Sequence, residues 1–134
     1  FAYVSGSLFL QGEYLQATVS EINETKLSSY YGQISYFLTG ERRTYKNSLS
    51  GFGSVKPNNN YGENGWGAIE LAVRLSSMDL TTANAGTLED FTVGINWYLN
   101  PNTRIMLNYV MGEMINGEKI ITENVVMMRV QLGF

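Results

Sequence analysis

The residues of this chain that could do chemistry are charged and amide side chains that recur at alternate positions of apolar stretches. Five of them share the polar side of such stretches: Glu70, Arg74, Arg104, Asn108 and Arg129. An arginine guanidinium is permanently charged and can hold two oxygens of a phosphate or a carboxylate at once. Fixed charges of this kind along a water-filled path select ions electrostatically. If the stretches that carry them enclose such a path, these five residues line it and are the candidates for recognition of ions.

The composition gives little support to nucleophilic, acid–base or metal chemistry. The chain contains no cysteine and no histidine, the residue types that most often act as nucleophile, general base or metal ligand. Its formal net charge is −3, whereas nucleic-acid binding depends on clustered positive charge. We therefore expect no enzyme activity, no metal or other cofactor, and no nucleic-acid partner.

The elements that must position these side chains are strands in which apolar and polar residues alternate. In residues 91–99, for example, Val93, Ile95 and Trp97 alternate with Gly94 and Asn96. This period of two is typical of a strand with two different faces. The same pattern predicts six strands, at residues 7–19, 30–40, 66–75, 91–99, 103–113 and 122–134.

The end of the chain indicates which environment the apolar face meets. Residues 126–134 alternate strictly and finish on Phe134, as strands of outer-membrane barrels do when lipid covers the apolar face. The predicted strands are long enough to supply the roughly 9–11 residues of a tilted membrane-spanning strand. No run of 18 apolar residues occurs, so the sequence predicts no membrane helix.

We therefore predict an all-β fold, an antiparallel transmembrane β-barrel in the bacterial outer membrane, in contact with lipid and lipopolysaccharide. Six strands cannot close such a barrel, for which about eight is the bacterial minimum. Either further strands are not recognised by their pattern, or residues 1–134 are the C-terminal strands of a single barrel domain in a longer chain. The alternative is a soluble antiparallel β-barrel or sandwich that binds a small ligand and packs its apolar face on a dry core.

One connection is unexpectedly long. The number of strand crossings places residues 41–65 on the periplasmic side, where barrel turns are ordinarily short. The segment is locally basic, with Arg42, Arg43, Lys46 and Lys56 against Glu41 and Glu63. A basic inner mouth would draw anions through a channel, so we predict that Arg42 and Arg43 line the path. Whether this segment extends the strands or folds into the lumen is left open by the sequence.

The role of the strand arginines is also left open. Arg74, Arg104 and Arg129 could form part of a basic track for anions. Alternatively, they pair with Glu70, Glu13 and Glu123 and brace the sheet, as charges on neighbouring strands commonly do.

Several stretches resemble the C-terminal part of the phosphate-selective porin O and P family. They are YFLTGE at 36–41, VKP at 55–57, GWGAIELAVRLSSMDL at 65–80, GINWYLNPN at 94–102 and RIMLNY at 104–109. The resemblance implies a sixteen-stranded porin barrel, usually a homotrimer, that passes anions such as phosphate or polyphosphate by passive diffusion through a narrow basic channel. This chain would then supply about six of the sixteen strands.

Overall fold

The computed structural model of the chain describes residues 1–20, 24–46 and 51–133. The described part is built almost entirely from strands, with one turn of 3-10 helix at Thr81–Ala83. It holds no helix long and apolar enough to cross a membrane. The strands are β1 (Ala2–Ser5), β2 (Leu8–Ser20), β3 (Glu24–Phe37), β4 (Tyr45–Lys46), β5 (Gly51–Phe52), β6 (Ala68–Leu80), β7 (Gly86–Asn100), β8 (Thr103–Asn116) and β9 (Lys119–Leu132).

Seven of these strands form one antiparallel sheet in the order β1-β2-β3-β6-β7-β8-β9. Each strand therefore pairs with the next long strand along the chain. The short strands β4 and β5 form a separate two-stranded ladder within the long connection between β3 and β6. In the described residues β1 and β9 are the edges of the open sheet, and unpaired edges call for a further strand or a cover.

All six predicted strands are present, and most of them extend further than predicted. The loop predicted at residues 79–87 is shorter than expected, because β6 continues to Leu80 and β7 already begins at Gly86. β1 was not predicted, since four residues are too few to show a period and are defined only by their pairing with β2. Phe134, the predicted aromatic end of the last strand, lies outside the described residues.

The two faces of the sheet differ as the alternation predicts. We call outer face the side that carries Val93, Ile95, Leu107 and Val130, whose surfaces are 40, 45, 47 and 56% exposed. A soluble barrel or sandwich would bury these side chains in a dry core. In the described residues these side chains remain exposed, as expected for a sheet that meets hydrocarbon. The opposite side, which carries Glu70, is the inner face.

The long connection folds over the inner face. We call its described residues, 38–46 and 51–67, the inner segment. Phe52 places its ring 4.9 Å from that of Phe9 on β2, and Val55 joins a buried cluster with Phe37, Ala68 and Tyr98. The sequence left open whether this segment extends the strands or folds inward. Aromatic and apolar contacts hold it against the inner face of the sheet, so it folds inward.

Candidate functional site

The centre of the inner face is the carboxylate of Glu70, which β6 turns inward and which is completely buried. Arg43 of the inner segment forms an ion pair with it. The Nη2 atom of Arg43 donates to Oε1 at 2.7 Å and to Oε2 at 3.0 Å, and Nε donates to Oε1 at 3.2 Å. The guanidinium also lies over the ring of Phe9, 4.8 Å from its centroid. Arg43 is therefore fixed by both charge and stacking.

Three neutral donors from neighbouring strands complete the coordination of Glu70. The Ser35 hydroxyl of β3 donates to Oε1 at 2.6 Å. Asn96 Nδ2 and Tyr98 Oη, both on β7, donate to Oε2 at 3.0 and 2.9 Å. A buried carboxylate is tolerated when it is paired and hydrogen-bonded in this way. Because Glu70 and Arg43 neutralise each other, neither side chain presents a free charge on the inner face.

Arg104, on β8, is joined to the same network through Tyr98. Its Nη1 donates to Tyr98 Oη at 3.2 Å, and its Nη2 donates to Gln131 Oε1 at 2.7 Å. Both partners are uncharged, so the positive charge of Arg104 is not neutralised by them. Its Nε is buried and has no hydrogen-bond partner within the described residues. Arg104 lines a cleft of about 430 Å³ between the inner segment and the β7–β8 turn, which we call the end cleft.

The inner segment presents a second cleft with a basic rim. It has a volume of about 840 Å³, and Arg42, Lys46 and Lys56 are among its lining residues. All three side chains are exposed. Glu41 also lines this cleft but is 4% exposed, and its carboxylate accepts from the Asn58 backbone N–H at 2.9 Å and from the Thr39 hydroxyl. We call the three exposed cations the basic mouth.

The remaining predicted site residues lie apart from this network, along the inner face. The guanidinium of Arg74 lies 4.0 Å from the centroid of the Tyr31 ring. Asn108 lies opposite Gly94 in the pairing of β7 with β8, and Arg129 lies opposite Met106 and is exposed. The structure thus brings together Glu70, Arg43 and Arg104, whereas Arg74, Asn108 and Arg129 occupy separate positions.

Sequence reasoning did not single out the neutral members of the network. The alternation of apolar and polar residues places Ser35, Asn96 and Tyr98 on the same side of the sheet as Glu70. It does not indicate which side chain each of them contacts. Their meeting depends on the register, in which Glu70 lies opposite Phe37 and Asn96. As for metals, the described ranges contain no group of three or more acidic side chains that could hold an ion.

Comparison with known proteins identifies the family. The family described as "Phosphate-selective porin O and P" matches residues 1–134. Porin O of Pseudomonas aeruginosa is 33% identical, over 81% of this chain and 27% of its own length. A protein of Caulobacter vibrioides, named only as uncharacterized, is 29% identical over 78% of this chain and 22% of its own length. The chain thus spans about a quarter of the length of these relatives.

These matches agree with the antiparallel sheet and its exposed apolar face, so the predicted fold, a part of a porin β-barrel, is confirmed. The resemblance seen in the sequence is confirmed as well. The chain belongs to the phosphate-selective porin O and P family.

Proposed function

We propose that this chain is the C-terminal part of a sixteen-stranded porin of the bacterial outer membrane, which passes anions such as phosphate or polyphosphate by passive diffusion. The family match supports this proposal, as does the open sheet with β1 and β9 as its described edges. Further strands would pair those edges and close the barrel. We propose a homotrimer as the assembled form, with lipid and lipopolysaccharide around the outer face.

The observation that carries the proposal is the basic mouth. Arg42, Lys46 and Lys56 are exposed around one cleft, while Glu41 beside them is buried and hydrogen-bonded. Exposed cations at the entrance of a water-filled path raise the local concentration of anions and lower that of cations. They act within about one Debye length, ~8 Å in physiological salt, which is comparable to the dimensions of a narrow channel.

The predicted pore-lining residues divide into two roles in this proposal. Arg74, Arg104, Asn108 and Arg129 line the water-filled side of the sheet and contribute charge or polarity to it. Glu70 and Arg43 hold the inner segment against the sheet and so determine how far the basic mouth reaches over the path. Selection of ions by fixed charge requires no bond to be made or broken, so we propose a channel and not an enzyme.

The proposal is tested with the full-length porin in planar bilayers under a potassium chloride gradient. We expect the reversal potential to have the sign of the chloride equilibrium potential, as it does when anions cross more readily than cations. Replacing the basic mouth by Arg42→Gln, Lys46→Gln and Lys56→Gln should move that potential toward zero. The control removes two charges at the opposite end of the sheet, with Lys26→Gln and Lys119→Gln, and should change the potential less for each charge removed. A cation-selective wild-type channel would refute anion passage.

A further inference from the structure

One arginine of the inner face carries a charge that no described side chain neutralises. Arg74 lies opposite Gln33 of β3 and Thr92 of β7, which are both uncharged. The ion pair found among the described residues joins Arg43 and Glu70, so Arg74 has no carboxylate partner within them. Its side chain is exposed on the inner face. A neighbouring aromatic ring explains why this charge stays unpaired.

The ring of Tyr31 holds the Arg74 guanidinium in place. The guanidinium carbon lies 4.0 Å from the ring centroid, close enough for the attraction between a cation and the face of an aromatic ring. Tyr31 is itself fixed, because its Oη atom accepts a hydrogen bond of 2.7 Å from Gln11 Nε2 of β2. Contact with the ring uses none of the guanidinium N–H groups in a hydrogen bond, so they remain free to face water.

Two carboxylates of the inner face lie on either side of this stacked pair. Glu13 of β2 lies directly opposite Tyr31 of β3, so the ring stands between Glu13 and Arg74, which is on β6. Asp90 of β7 lies opposite Ser76, two residues from Arg74, and accepts a hydrogen bond from the Ser76 hydroxyl. Side chains of opposite charge on neighbouring strands attract each other. An arginine that nothing held in place would therefore pair with one of these two carboxylates.

From this arrangement we propose that Tyr31 is a positioning residue for Arg74: its ring holds the guanidinium away from Glu13 and Asp90 and keeps a positive charge unpaired on the wall of the path. The proposal rests on the proposed anion passage, which gives that charge its use. An ion pair is neutral as a whole, and its field falls off faster with distance than that of a single charge. Within about one Debye length, ~8 Å in physiological salt, an unpaired guanidinium therefore attracts anions more strongly than a paired one. Tyr31 thus adds to ion preference although it carries no charge.

Crystal structures of the full-length porin and its variants test where the guanidinium lies. Tyr31→Leu removes the ring, and we expect the Arg74 guanidinium to move into ion-pair distance of the Glu13 or the Asp90 carboxylate. Tyr31→Phe loses only the hydroxyl, so the guanidinium should stay over the ring. The matched control Tyr30→Leu removes the adjacent tyrosine, which is 56% exposed on the outer face, and should leave Arg74 in place. A guanidinium that stays unpaired in Tyr31→Leu, or that leaves the ring in Tyr31→Phe, would overturn the proposal.

Reversal potentials in planar bilayers test the consequence for ion preference. Under a potassium chloride gradient, Arg74→Gln should move the potential toward the potassium equilibrium potential, because it removes a positive charge. Tyr31→Leu should move it in the same direction, whereas Tyr31→Phe and Tyr30→Leu should not. Added to Arg74→Gln, Tyr31→Leu should cause no further shift, because its effect passes through Arg74. A full further shift in that double variant, or no shift in Tyr31→Leu alone, would count against the positioning role.

A second variant removes the ring in case Tyr31→Leu does not fold. Tyr31→Thr is polar and β-branched, which suits the water-facing side of a strand, and the same results are expected of it. The sign of the wild-type potential tests anion passage, whereas the shifts between variants test the role of Tyr31. An anion-selective wild type without these shifts refutes the positioning role alone, and a cation-selective wild type refutes anion passage.

Discussion

The guanidinium of Arg43 and the carboxylate of Glu70 are 27 residues apart in the chain and meet at 2.7 Å on the inner face of the sheet. Arg43 belongs to the inner segment and Glu70 to β6, so the contact ties a long connection to the sheet. Glu70 is fully buried and the Arg43 side chain is 17% exposed. Little water is therefore available to replace either partner if the other is removed.

Removal of Arg43 should destabilise the porin, and removal of the Glu70 charge should reverse much of that loss. Arg43→Met leaves a buried carboxylate without its cation, for which we expect a cost of about 3–5 kcal/mol. Adding Glu70→Gln keeps the shape of the side chain but removes the charge, so the double variant should be more stable than Arg43→Met alone. Urea unfolding of the full-length porin in detergent measures both values. The ion-pair account would be contradicted if the double variant were as unstable as Arg43→Met, or if it lost the sum of the free energies that the two single changes cost.

The same variants give a local readout of the inner segment. In the wild type, the Arg43–Glu70 pair holds the backbone around Arg42 and Lys46 against the sheet. When the pair is broken by Arg43→Met, trypsin should cleave after Arg42 or Lys46 faster than in the wild-type porin. Mass spectrometry of the fragments identifies the position. Unchanged cleavage there would mean that the aromatic contact of Phe52 with Phe9 is sufficient to hold the segment.

Tyr98→Phe should disconnect Arg104 from Glu70. The phenol oxygen donates to Glu70 at 2.9 Å and accepts from Arg104 at 3.2 Å, and a hydrogen bond to a charged group contributes about 1.5–3 kcal/mol. We expect a loss of about 2–3 kcal/mol in unfolding free energy. Tyr109→Phe is the control, because Tyr109 lies on the outer face and is 42% exposed. Equal effects of the two changes would argue against the network.

Gly86 should tolerate no side chain, whereas Gly117 should tolerate one at moderate cost. Both have positive φ angles, of 79° and 61°, so alanine is strained at either position by about 1–2 kcal/mol. At Gly86 a Cβ would also lie 2.1 Å from the Ile115 carbonyl oxygen, whereas nothing lies within 4 Å at Gly117. We expect Gly86→Ala to lose clearly more stability than Gly117→Ala. If both variants lost the same unfolding free energy in the urea assay, the short distance between Gly86 and the Ile115 carbonyl oxygen of β8 would not contribute to the cost of a side chain.

A charge should be costly on the outer face and tolerated on the inner face. Val93 is 40% exposed on the outer face, and its neighbour Thr92 has the opposite parity on β7. An arginine on the lipid-facing side of a barrel costs about 2–4 kcal/mol at the bilayer midplane. Val93→Arg should therefore destabilise the porin in lipid much more than Thr92→Arg. If Thr92→Arg were the less stable of the two variants, the lipid-facing and water-facing sides of the sheet would be the opposite of those assigned here.

The strands could be predicted from the sequence because their signal is local. A period of two over ten residues indicates both the element and its two faces, and all six long strands follow it. β1 could not be recognised in this way, since its four residues become a strand through pairing with β2. The inward side of Glu70, Arg74, Arg104, Asn108 and Arg129 was predicted by the same alternation.

The partners of these inward residues could not be predicted, because they depend on register and on the folded connection. The sequence suggested Arg74, Arg104 or Arg129 as ion-pair partners of acidic neighbours. Arg74 is four residues from Glu70 on the same strand, which amounts to about 13 Å. Arg43 reaches Glu70 because Phe52 and Val55 fix the inner segment over the sheet. Residues 41–65 show no periodic pattern that indicates this position of the inner segment over the sheet.

The central claim is that alternate residues of one strand face hydrocarbon and water, and accessibility of spin labels tests it most directly. The 134 residues contain no cysteine, so single cysteines can be placed at Leu107 and Asn108, adjacent on β8, in the full-length porin reconstituted into lipid. We predict that the nitroxide at position 107 collides mainly with oxygen, which dissolves in the bilayer, and that the nitroxide at position 108 collides mainly with a water-soluble nickel complex. Equal accessibility at the two positions, or the opposite order, would contradict the account.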